Sequence, residues 1–460
     1  MSIKRQNSTD VNVSLKISRD QGQTFVKTEG NGDNQADELK QFLTAFTITE
    51  GIDIPAIYAE LILQDSSGLI NSLDGSETWR LEIETGNSEV VYFFQAYNID
   101  SRARVGNAES YIIEAVSREF ILNESTNLFG HTDVVFDKKT TAKEIVQKIV
   151  KDLPSVKSVF AEDSQNTHSF VISHWRPFDT VFWVAKNSTR AASSGAEPQN
   201  GFIFWENRMG FHFKTIDKII DDVNNQSYDI ESDLKSGKAR LYRYKYEPKK
   251  SGDEDSDDFR IDNITFPEDR NLLMKMRNGS WSGYSVGFDP SKFGNSKLST
   301  EAPNADNPST YDISKYWSKM SHITGGKNPV ENFTDEVKTM MKKPRRIRYS
   351  ILPNRIFDQK GSTTDNKNYD ELPYLQAYQH LRLQSFKNIK LMVNIPGNMD
   401  LYAGYGVEID IPKTKPQGDA MVKDQTFSGR YVIAGIRHKY AGQAIYTEML
   451  LYRDSIPDNK

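Results

Sequence analysis

The 460-residue sequence has no cysteine, no excess of basic residues and no long apolar run. Without cysteine, the chain cannot form disulfide bonds, thiolate metal sites or a cysteine nucleophile, and its redox compartment stays undecided. The formal net charge of −5 argues against a general nucleic-acid-binding protein, because such proteins usually carry a clear basic excess. These absences remove several common classes of enzyme and binding protein.

No segment approaches the roughly 18 apolar residues that indicate a membrane-spanning helix. The first residues, Met1–Asn7, are not followed by the apolar stretch of a signal peptide. We therefore expect a soluble chain that is made in a cytoplasm and has no stable membrane insertion.

The chain is polar, with 37% hydrophobic residues, but it contains 24 Phe and 21 Tyr. Large aromatic side chains can still build several small cores in such a sequence. The length indicates about three domains. We therefore expect thin barrels and plates rather than one thick core.

Apolar and polar residues alternate from Val11 to Ile17, which is typical of a half-buried strand. Further strand patterns, each bounded by turn residues, follow at 58–64, 79–84, 91–100 and 111–116. These patterns predict an antiparallel β-barrel domain at residues 1–128.

The pattern changes near residue 130. Thr141 and Glu144 form a capping-box motif before an apolar helix face, and Pro177 begins a second helix pattern. The segments 202–205 and 210–213 predict a hairpin. We therefore predict an α+β domain at residues 129–239.

Residues 240–371 show little periodicity beyond a strand pattern at Leu241–Tyr246. The stretch 279–368 is rich in Ser, Asn, Gly, Pro and Lys, so we predict a long loop-rich insertion without a core of its own. A helix pattern at 372–386 is followed by renewed β alternation, which predicts a second β-barrel domain at residues 372–460. The predicted fold class is α+β, mainly β, with two antiparallel barrels flanking an α+β domain.

The two β regions follow a similar order of segments. The corresponding pairs are Leu81–Glu84 with Val407–Asp410, Val91–Ala103 with Gly429–Ala441, and Ser110–Glu119 with Ala444–Asp454. Because any two antiparallel sheets share alternation, a duplication and two unrelated barrels both remain open. If the duplication is real, a three-fold assembly would place six similar units around one axis.

Three stretches carry a resemblance to a known family: Ala59–Trp79 with a DSSGL turn, Trp175–Ile219, and Ala377–Asp454 with GRYVIAGIRHKY. In these stretches the chain resembles the central baseplate hub protein of contractile-tailed phages. It resembles more distantly the hub part of the type VI secretion protein VgrG and the late control protein D group. Residues 250–370 depart from the family pattern.

The resemblance implies a homotrimer in which two barrel-like tube domains per chain build a ring around a central channel. One face would receive the tail tube or a tube-initiator protein and the other the central spike, with baseplate wedge and tape-measure proteins as further partners. The genome would pass through without specific binding. The implied location is the virion tail baseplate, assembled in the host cytoplasm, and the implied role is structural, with no catalytic, cofactor or metal residue.

A serine hydrolase is one alternative, because Gly283–Gly287 (GYSVG) fits the nucleophile-elbow motif with Ser285 as nucleophile. The motif requires a helix directly after the serine, whereas Asp289-Pro290 favours a turn. His322, His380 or His438 could supply the base. We expect a Gly/Ser-rich loop instead.

Two groups of residues are candidates for a metal site. His168 and His174 lie on a predicted strand near Asp163 and Asp179, but paired surface histidines are commoner than zinc ligands. Asp253, Asp255 and Asp257 begin like a calcium loop, but Asp258 and Ile264 stand where the loop needs Gly and Glu. A solvated acidic loop is therefore predicted.

Two surface features remain. The basic run Lys342–Arg348 favours contact with an acidic protein over nucleic acid, because few aromatic residues interleave it. Trp281, Tyr284 and Trp317 would be the exposed platforms of a carbohydrate-binding β module, the third possible function. Gly325–Lys327 lacks the remaining residues of a phosphate-binding loop.

Overall fold

The computed structural model describes most of the chain. The described residues are 11–20, 22–25, 39–85, 88–129, 135–153, 155–190, 199–247, 259–267, 271–288, 310–323, 326–343, 346–351, 367–414, 422–442 and 444–456. None of the helices in these ranges is long and apolar enough to cross a membrane.

Six strands form the first barrel. They are β1 (Val11–Ser18), β2 (Leu43–Gly51), β3 (Tyr58–Asp65), β4 (Thr78–Thr85), β5 (Ser88–Val105) and β6 (Ala108–Ser117). Their hydrogen-bonded order is β1-β4-β5-β6-β3-β2, with every neighbouring pair antiparallel. The Leu39 N–H donates to the Leu15 carbonyl at 2.7 Å, which joins β1 to the segment leading into β2. The alternating apolar residues of these strands fill the core of the barrel.

The next part of the chain mixes helices and strands. It contains α1 (Arg118–Ser125), β7 (Val135–Thr141), α2 (Ala142–Asp152), β8 (Ser158–Ala161), β9 (Thr167–Val171), α3 (Pro177–Asn187), β10 (Phe202–Asn207), β11 (Gly210–Thr215) and α4 (Ile216–Asn225). The capping box is present, since the Thr141 N–H donates to Glu144 Oε2 at 2.9 Å. Helices α2 and α3 pack on the β10-β11-β8 sheet around a separate apolar core.

The remaining elements alternate between the second barrel and an inserted unit. They are β12 (Tyr242–Lys245), β13 (Asn263–Thr265), α5 (Leu272–Arg277), β14 (Ser282–Phe288), β15 (Thr310–Asp312), α6 (Ile313–Trp317), α7 (Asp335–Lys342), β16 (Ile347–Ile351), α8 (Lys367–Phe386), β17 (Ile389–Pro396), β18 (Gly406–Asp410), β19 (Gly429–Ala441) and β20 (Ala444–Arg453).

The second barrel has the order β12-β18-β19-β20-β17-β13. The ring closes because the Ile261 N–H donates to the Lys245 carbonyl at 2.9 Å and the Asp262 N–H donates to the Asn394 carbonyl at 2.8 Å. The barrel therefore includes β12 and β13, which the sequence analysis placed in the insertion at 240–371. The strand pattern at Leu241–Tyr246 predicted β12 but not its pairing with β18, whereas β13 has three residues, too few to show a clear alternation.

The two barrels have the same topology. Numbered along the chain within each barrel, the strands of both follow the order first, fourth, fifth, sixth, third, second. The one difference is that β1 runs antiparallel to β4, whereas β12 runs parallel to β18. The sequence repeat pairs β4 with β18, β5 with β19 and β6 with β20, which agrees with these positions. The shared topology favours a duplication over two unrelated barrels.

The inserted unit between β13 and β17 has a small core of its own, contrary to the expectation of a loop-rich region without one. Strand β14 pairs with β15 and β16, and helix α8 packs across this sheet. The buried residues are Trp281, Tyr311, Ile313, Tyr316, Met320, Met341, Ala377, Tyr378 and Leu381. The periodicity of the sequence did not indicate this core, because several separate segments contribute to it.

The described residues thus form a mainly β, α+β structure, and the predicted fold class is confirmed. The strands of both barrels belong to one twelve-stranded sheet, because β2 pairs with β19.

Candidate functional site

The joint between the two barrels combines strand pairing with buried side-chain contacts. Strand β2 pairs with β19 from Ala45 opposite Ala441 to Gly51 opposite Gly435. Within this joint, the rings of Phe46 and Tyr440 stack with centroids 5.1 Å apart. Tyr440 is part of the apolar core of the first barrel, so the second barrel contributes to the core of the first. The joint is therefore a shared structural element.

The β10–β11 hairpin of the α+β domain contacts both barrels at this joint. The Trp205 indole N–H donates to the Ala403 carbonyl at 3.0 Å, and the Asn207 side-chain amide donates to the same carbonyl at 2.9 Å. On the first barrel, the Glu206 N–H donates to the Ile54 carbonyl at 3.3 Å. The hairpin turn therefore holds the two barrels in one relative position.

Close packing at the hairpin requires glycine at position 404. Gly404 has a φ of +88°, in the left-handed region that glycine tolerates best. A Cβ atom on Gly404 would overlap Cζ2 of the buried Trp205 ring. No larger residue fits this position without displacement of the indole.

A buried carboxylate, Glu50 of β2, accepts hydrogen bonds at the same joint. The Arg208 N–H of the hairpin donates to Glu50 Oε1 at 3.0 Å. Burial raises the pKa of Glu50 to about 7, although the backbone N–H groups of Arg208 and Ala403 favour the charged form. The Arg208 guanidinium in turn donates to the Tyr402 hydroxyl at 2.9 Å.

A second ionic cluster joins the α+β domain to the first barrel. The Ser117 hydroxyl donates to Glu206 Oε2 at 2.6 Å, and Lys157 binds both Glu206 and Glu119, the latter at 2.6 Å. Burial alone would lower the pKa of Lys157, but the two carboxylates outweigh it and raise the pKa above its usual value. The two carboxylates therefore favour the ammonium form of Lys157, while burial raises the pKa of Glu206.

A third network, centred on Arg382 of α8, joins the inserted unit to the second barrel and to α4. Arg382 has no exposed surface; Nη1 lies 3.1 Å from Asp454 Oδ2, and Nε lies 3.2 Å from Asp217 Oδ1. The Tyr378 hydroxyl donates to Asp217 Oδ2 at 2.7 Å, and His322 Nδ1 lies 2.8 Å from Asp454 Oδ2. Two buried carboxylates therefore share one guanidinium.

The structure places Ser285 inside strand β14 rather than in the expected loop or at a strand-to-helix turn. Its side chain is buried, and the hydroxyl donates to Gln376 Oε1 at 2.9 Å. The nearby His380 instead contacts the carbonyls of Asn278 and Gly279 through Nε2. The GYSVG segment therefore does not have the strand–turn–helix geometry of a nucleophile elbow.

The other histidines considered also have partners elsewhere. His322 belongs to the Arg382 network, and buried His438 contacts Thr447 Oγ1 at 3.0 Å. His168 is buried beside Ser188, so the expectation of two surface histidines is wrong, whereas His174 is exposed on a loop with a φ of 59°. No group of three potential metal ligands occurs among the residues that the structure describes.

The remaining surface candidates lie in different environments. Trp281 is buried and the Trp317 ring stacks on His322 at 3.9 Å, so these residues do not form an exposed aromatic platform with Tyr284. In the basic run, Lys342, Lys343 and Arg346 are exposed. Asp253, Asp255 and Asp257 lie outside the described residues, as does Gly325, while Lys327 pairs with Ile456.

Sequence reasoning missed the joint residues. A polar residue at an inward position of an alternating strand is the signal that could have found Glu50, since Phe46 and Ile48 share its face. Arg382 similarly follows Leu381 on the apolar side of α8. The hairpin contacts of Trp205 and Arg208 have no comparable signal, because their partners lie far away in the sequence.

No protein-family model matches the sequence, and no curated protein sequence matches it. Among solved structures, the 43 kDa tail protein of prophage MuSo2 from Shewanella oneidensis is similar, with a TM-score of 0.50, 10% identity and coverage of 96% of this chain and 99% of that chain. The tail protein from Neisseria meningitidis MC58 has a TM-score of 0.49, 10% identity and coverage of 97% of each chain. The chain has the fold of a prophage tail protein, as its resemblance to the baseplate hub family predicted.

Proposed function

We propose that this chain is the structural hub subunit of a phage baseplate. In this proposal it forms a homotrimeric, pseudo-six-fold ring that joins the tail tube to the central spike. The tube domains are the two barrels, predicted at 1–128 and 372–460; β12 and β13 are added to the second, and helix α8 belongs to the inserted unit. The observation that carries the proposal is the shared topology of two barrels in one chain.

The rigid joint supports this role. A subunit that matches a three-fold spike to a six-fold tube must hold its two barrels in one relative orientation. The continuous sheet through β2 and β19 and the β10–β11 hairpin supply that constraint. No bond chemistry is required, and we propose that the protein is not an enzyme.

The proposed partners follow from the ring. One face would bind the tail tube or its initiator, and the other the spike, with wedge and tape-measure proteins at the periphery. DNA would pass through the channel without specific binding, because the net charge of −5 offers no general excess of phosphate contacts. We propose the virion baseplate as its location, after assembly in the host cytoplasm.

The solution mass of the purified full-length chain tests this proposal. We expect native mass spectrometry to give a species three times the 52.5 kDa mass of the chain. A monomer that persists at high protein concentration would overturn the hub proposal.

A further inference from the structure

Strands β5 and β19 are both the fifth strand of a barrel, and each contains a β-bulge in its middle part. In β5 the register shifts between Ala96 and Asn98, and in β19 between Ile433 and Gly435. Before the bulge, each strand pairs with the fourth strand of its own barrel. After the bulge, the same edge of β19 pairs with β2, the second strand of the other barrel.

The matching edge of β5 has no such partner within the described chain. Residues 98–105 of β5 pair with β6 on one side only, and no described strand pairs with them on the other. An open strand edge of this kind exposes a row of backbone N–H and C=O groups. In β19 the corresponding backbone groups pair with β2.

We propose that this edge of β5 receives β13 from a second copy of the chain. Strand β13 is the second strand of its barrel, as β2 is of the first, so the contact repeats between chains the joint found within one chain. Such a contact is head-to-tail and closes into a ring when the rotation allows. The inference rests on the proposed function, because the ring supplies the second copy.

The strand registers predict which residues of β5 and β13 meet. In the first barrel, a row across the sheet runs from Asn98 through Glu114 and Glu60 to Thr47. In the second barrel, the row from Gly435, also the first paired residue after its bulge, runs through Leu450 and Met392 to Thr265. Thr265 is therefore the counterpart of Thr47.

The same rows locate the position that faces Thr265. Thr47 pairs with Lys439 at the joint, and Lys439 lies opposite Tyr446 of β20. In β20, Tyr446 lies four residues before Leu450. The corresponding residue of β6, four residues before Glu114, is Ser110, and Ser110 lies opposite Ala103. We therefore expect Thr265 of one copy opposite Ala103 of the next.

The local shape of both strands fits this register. A second irregularity in β5, where Ser101 has a φ of 53°, separates residues 103–105 from the rest of the edge. Strand β13 also has three residues, Asn263–Thr265. Ala103 and Thr265 are both exposed in the single chain, as an intermolecular contact requires.

A cysteine cross-link tests this contact in the full-length chain, which has no natural cysteine. Cysteines at directly opposed strand positions lie within disulfide range. Under mild oxidation, we expect Ala103→Cys/Thr265→Cys to give predominantly covalent dimers and trimers on a non-reducing gel. The pair Thr47→Cys/Lys439→Cys, at the equivalent joint within one chain, should form a disulfide but remain a monomeric band.

Two controls separate the outcomes. The exposed pair Ala103→Cys/Tyr446→Cys should give no covalent trimer, and circular dichroism should show that all variants fold. If native mass shows a trimer but Ala103→Cys/Thr265→Cys does not cross-link, the strand contact is wrong while the hub proposal stands. A wild-type chain that is monomeric would overturn both.

Discussion

The two barrels share a strand order but are stabilised in different ways. In the first barrel, the short segment 52–57 connects the second strand to the third. Most of the core residues of this barrel come from its own strands. In the second barrel, residues 266–388 connect the second strand to the third. The core of this barrel includes Trp205 and residues of α4 from the α+β domain. One barrel is nearly self-contained, whereas the other is built together with its neighbours.

This difference indicates where a duplicated barrel can accept an insertion. The link between the second and third strands lies at the end of the barrel, so a folded unit can replace a short turn without breaking the strand order. The inserted unit is then fixed by buried charge, through Arg382 with Asp217 and Asp454. The stability of the second barrel should therefore depend on contacts that have no equivalent in the first.

The largest expected effect comes from Arg382→Met. The change leaves the buried carboxylates of Asp217 and Asp454 without their guanidinium, so we expect a loss of roughly 3–5 kcal/mol in the free energy of unfolding. Urea denaturation measures this loss in the free energy of unfolding. The control Arg437→Met removes a half-exposed ion pair with Glu448 and should cost less than about 1 kcal/mol. Equal effects of the two variants would contradict a special role for the network.

The next effect concerns the hairpin that holds both barrels. Gly404→Ala places a Cβ atom against Trp205 and forces alanine into a left-handed conformation, so we expect a loss of roughly 2–4 kcal/mol. Gly442→Ala is the matched control, because Gly442 also has a positive φ but no atom within 4 Å of the added Cβ. Thermal denaturation should show the smaller loss, roughly 1–2 kcal/mol, for Gly442→Ala.

The third effect is a pH dependence at the joint. The pKa of Glu50 is raised to about 7 in the folded chain, above its unfolded value of 4.5, so the folded state holds the proton more tightly. This contribution to stability is fully present below pH 4.5 and is lost as the pH rises to 7. Between pH 5 and pH 7.5, the wild type should therefore lose about 2 kcal/mol relative to Glu50→Gln.

Urea denaturation of both proteins at the two pH values measures this difference. Replacement of the exposed Glu60 of β3 by Gln is the control and should leave the pH dependence of the wild type unchanged. A Glu50→Gln variant with the same pH slope as the wild type would show that Glu50 is not protonated in the folded joint.

The smallest effect concerns the inserted unit. Ser285→Ala removes the hydrogen bond to Gln376 and should cost about 1 kcal/mol. Ser282→Ala, which removes the hydrogen bond to the Met341 carbonyl, is a control of similar size. Neither variant should change the hydrolysis of model esters or amides relative to the wild type. Hydrolysis that depends on Ser285 would contradict the structural role.

The sequence predicted those parts of the fold that have local signals. Alternation in β1, the capping box at Thr141 and the proline at Pro177 each placed an element correctly. The strand β12 was predicted at Leu241–Tyr246 but was not placed in the second barrel, and β13 was missed, because the pairing of such short strands is set by β18 and β17, distant in the sequence. Ser285 was assigned to a loop because its Gly-rich surroundings hide a strand held by Tyr311 and other distant residues.

The joint itself lay beyond sequence reasoning for the same physical reason. The apolar alternation of β2 and β19 shows that each strand has a buried face, but it does not show that the two strands pair. The repeat predicted equivalent strands in the two barrels without predicting that a second strand of one joins a fifth strand of the other. Tertiary pairing decides that arrangement.

The central claim is that each chain contributes two equivalent barrels to one ring. Electron microscopy of the purified full-length protein, averaged in views along the ring axis, tests it most directly. We expect six similar lobes around an open channel in a particle with three-fold symmetry. A particle in which the two barrels of each chain lie at different distances from the axis, or one without a channel, would contradict the account.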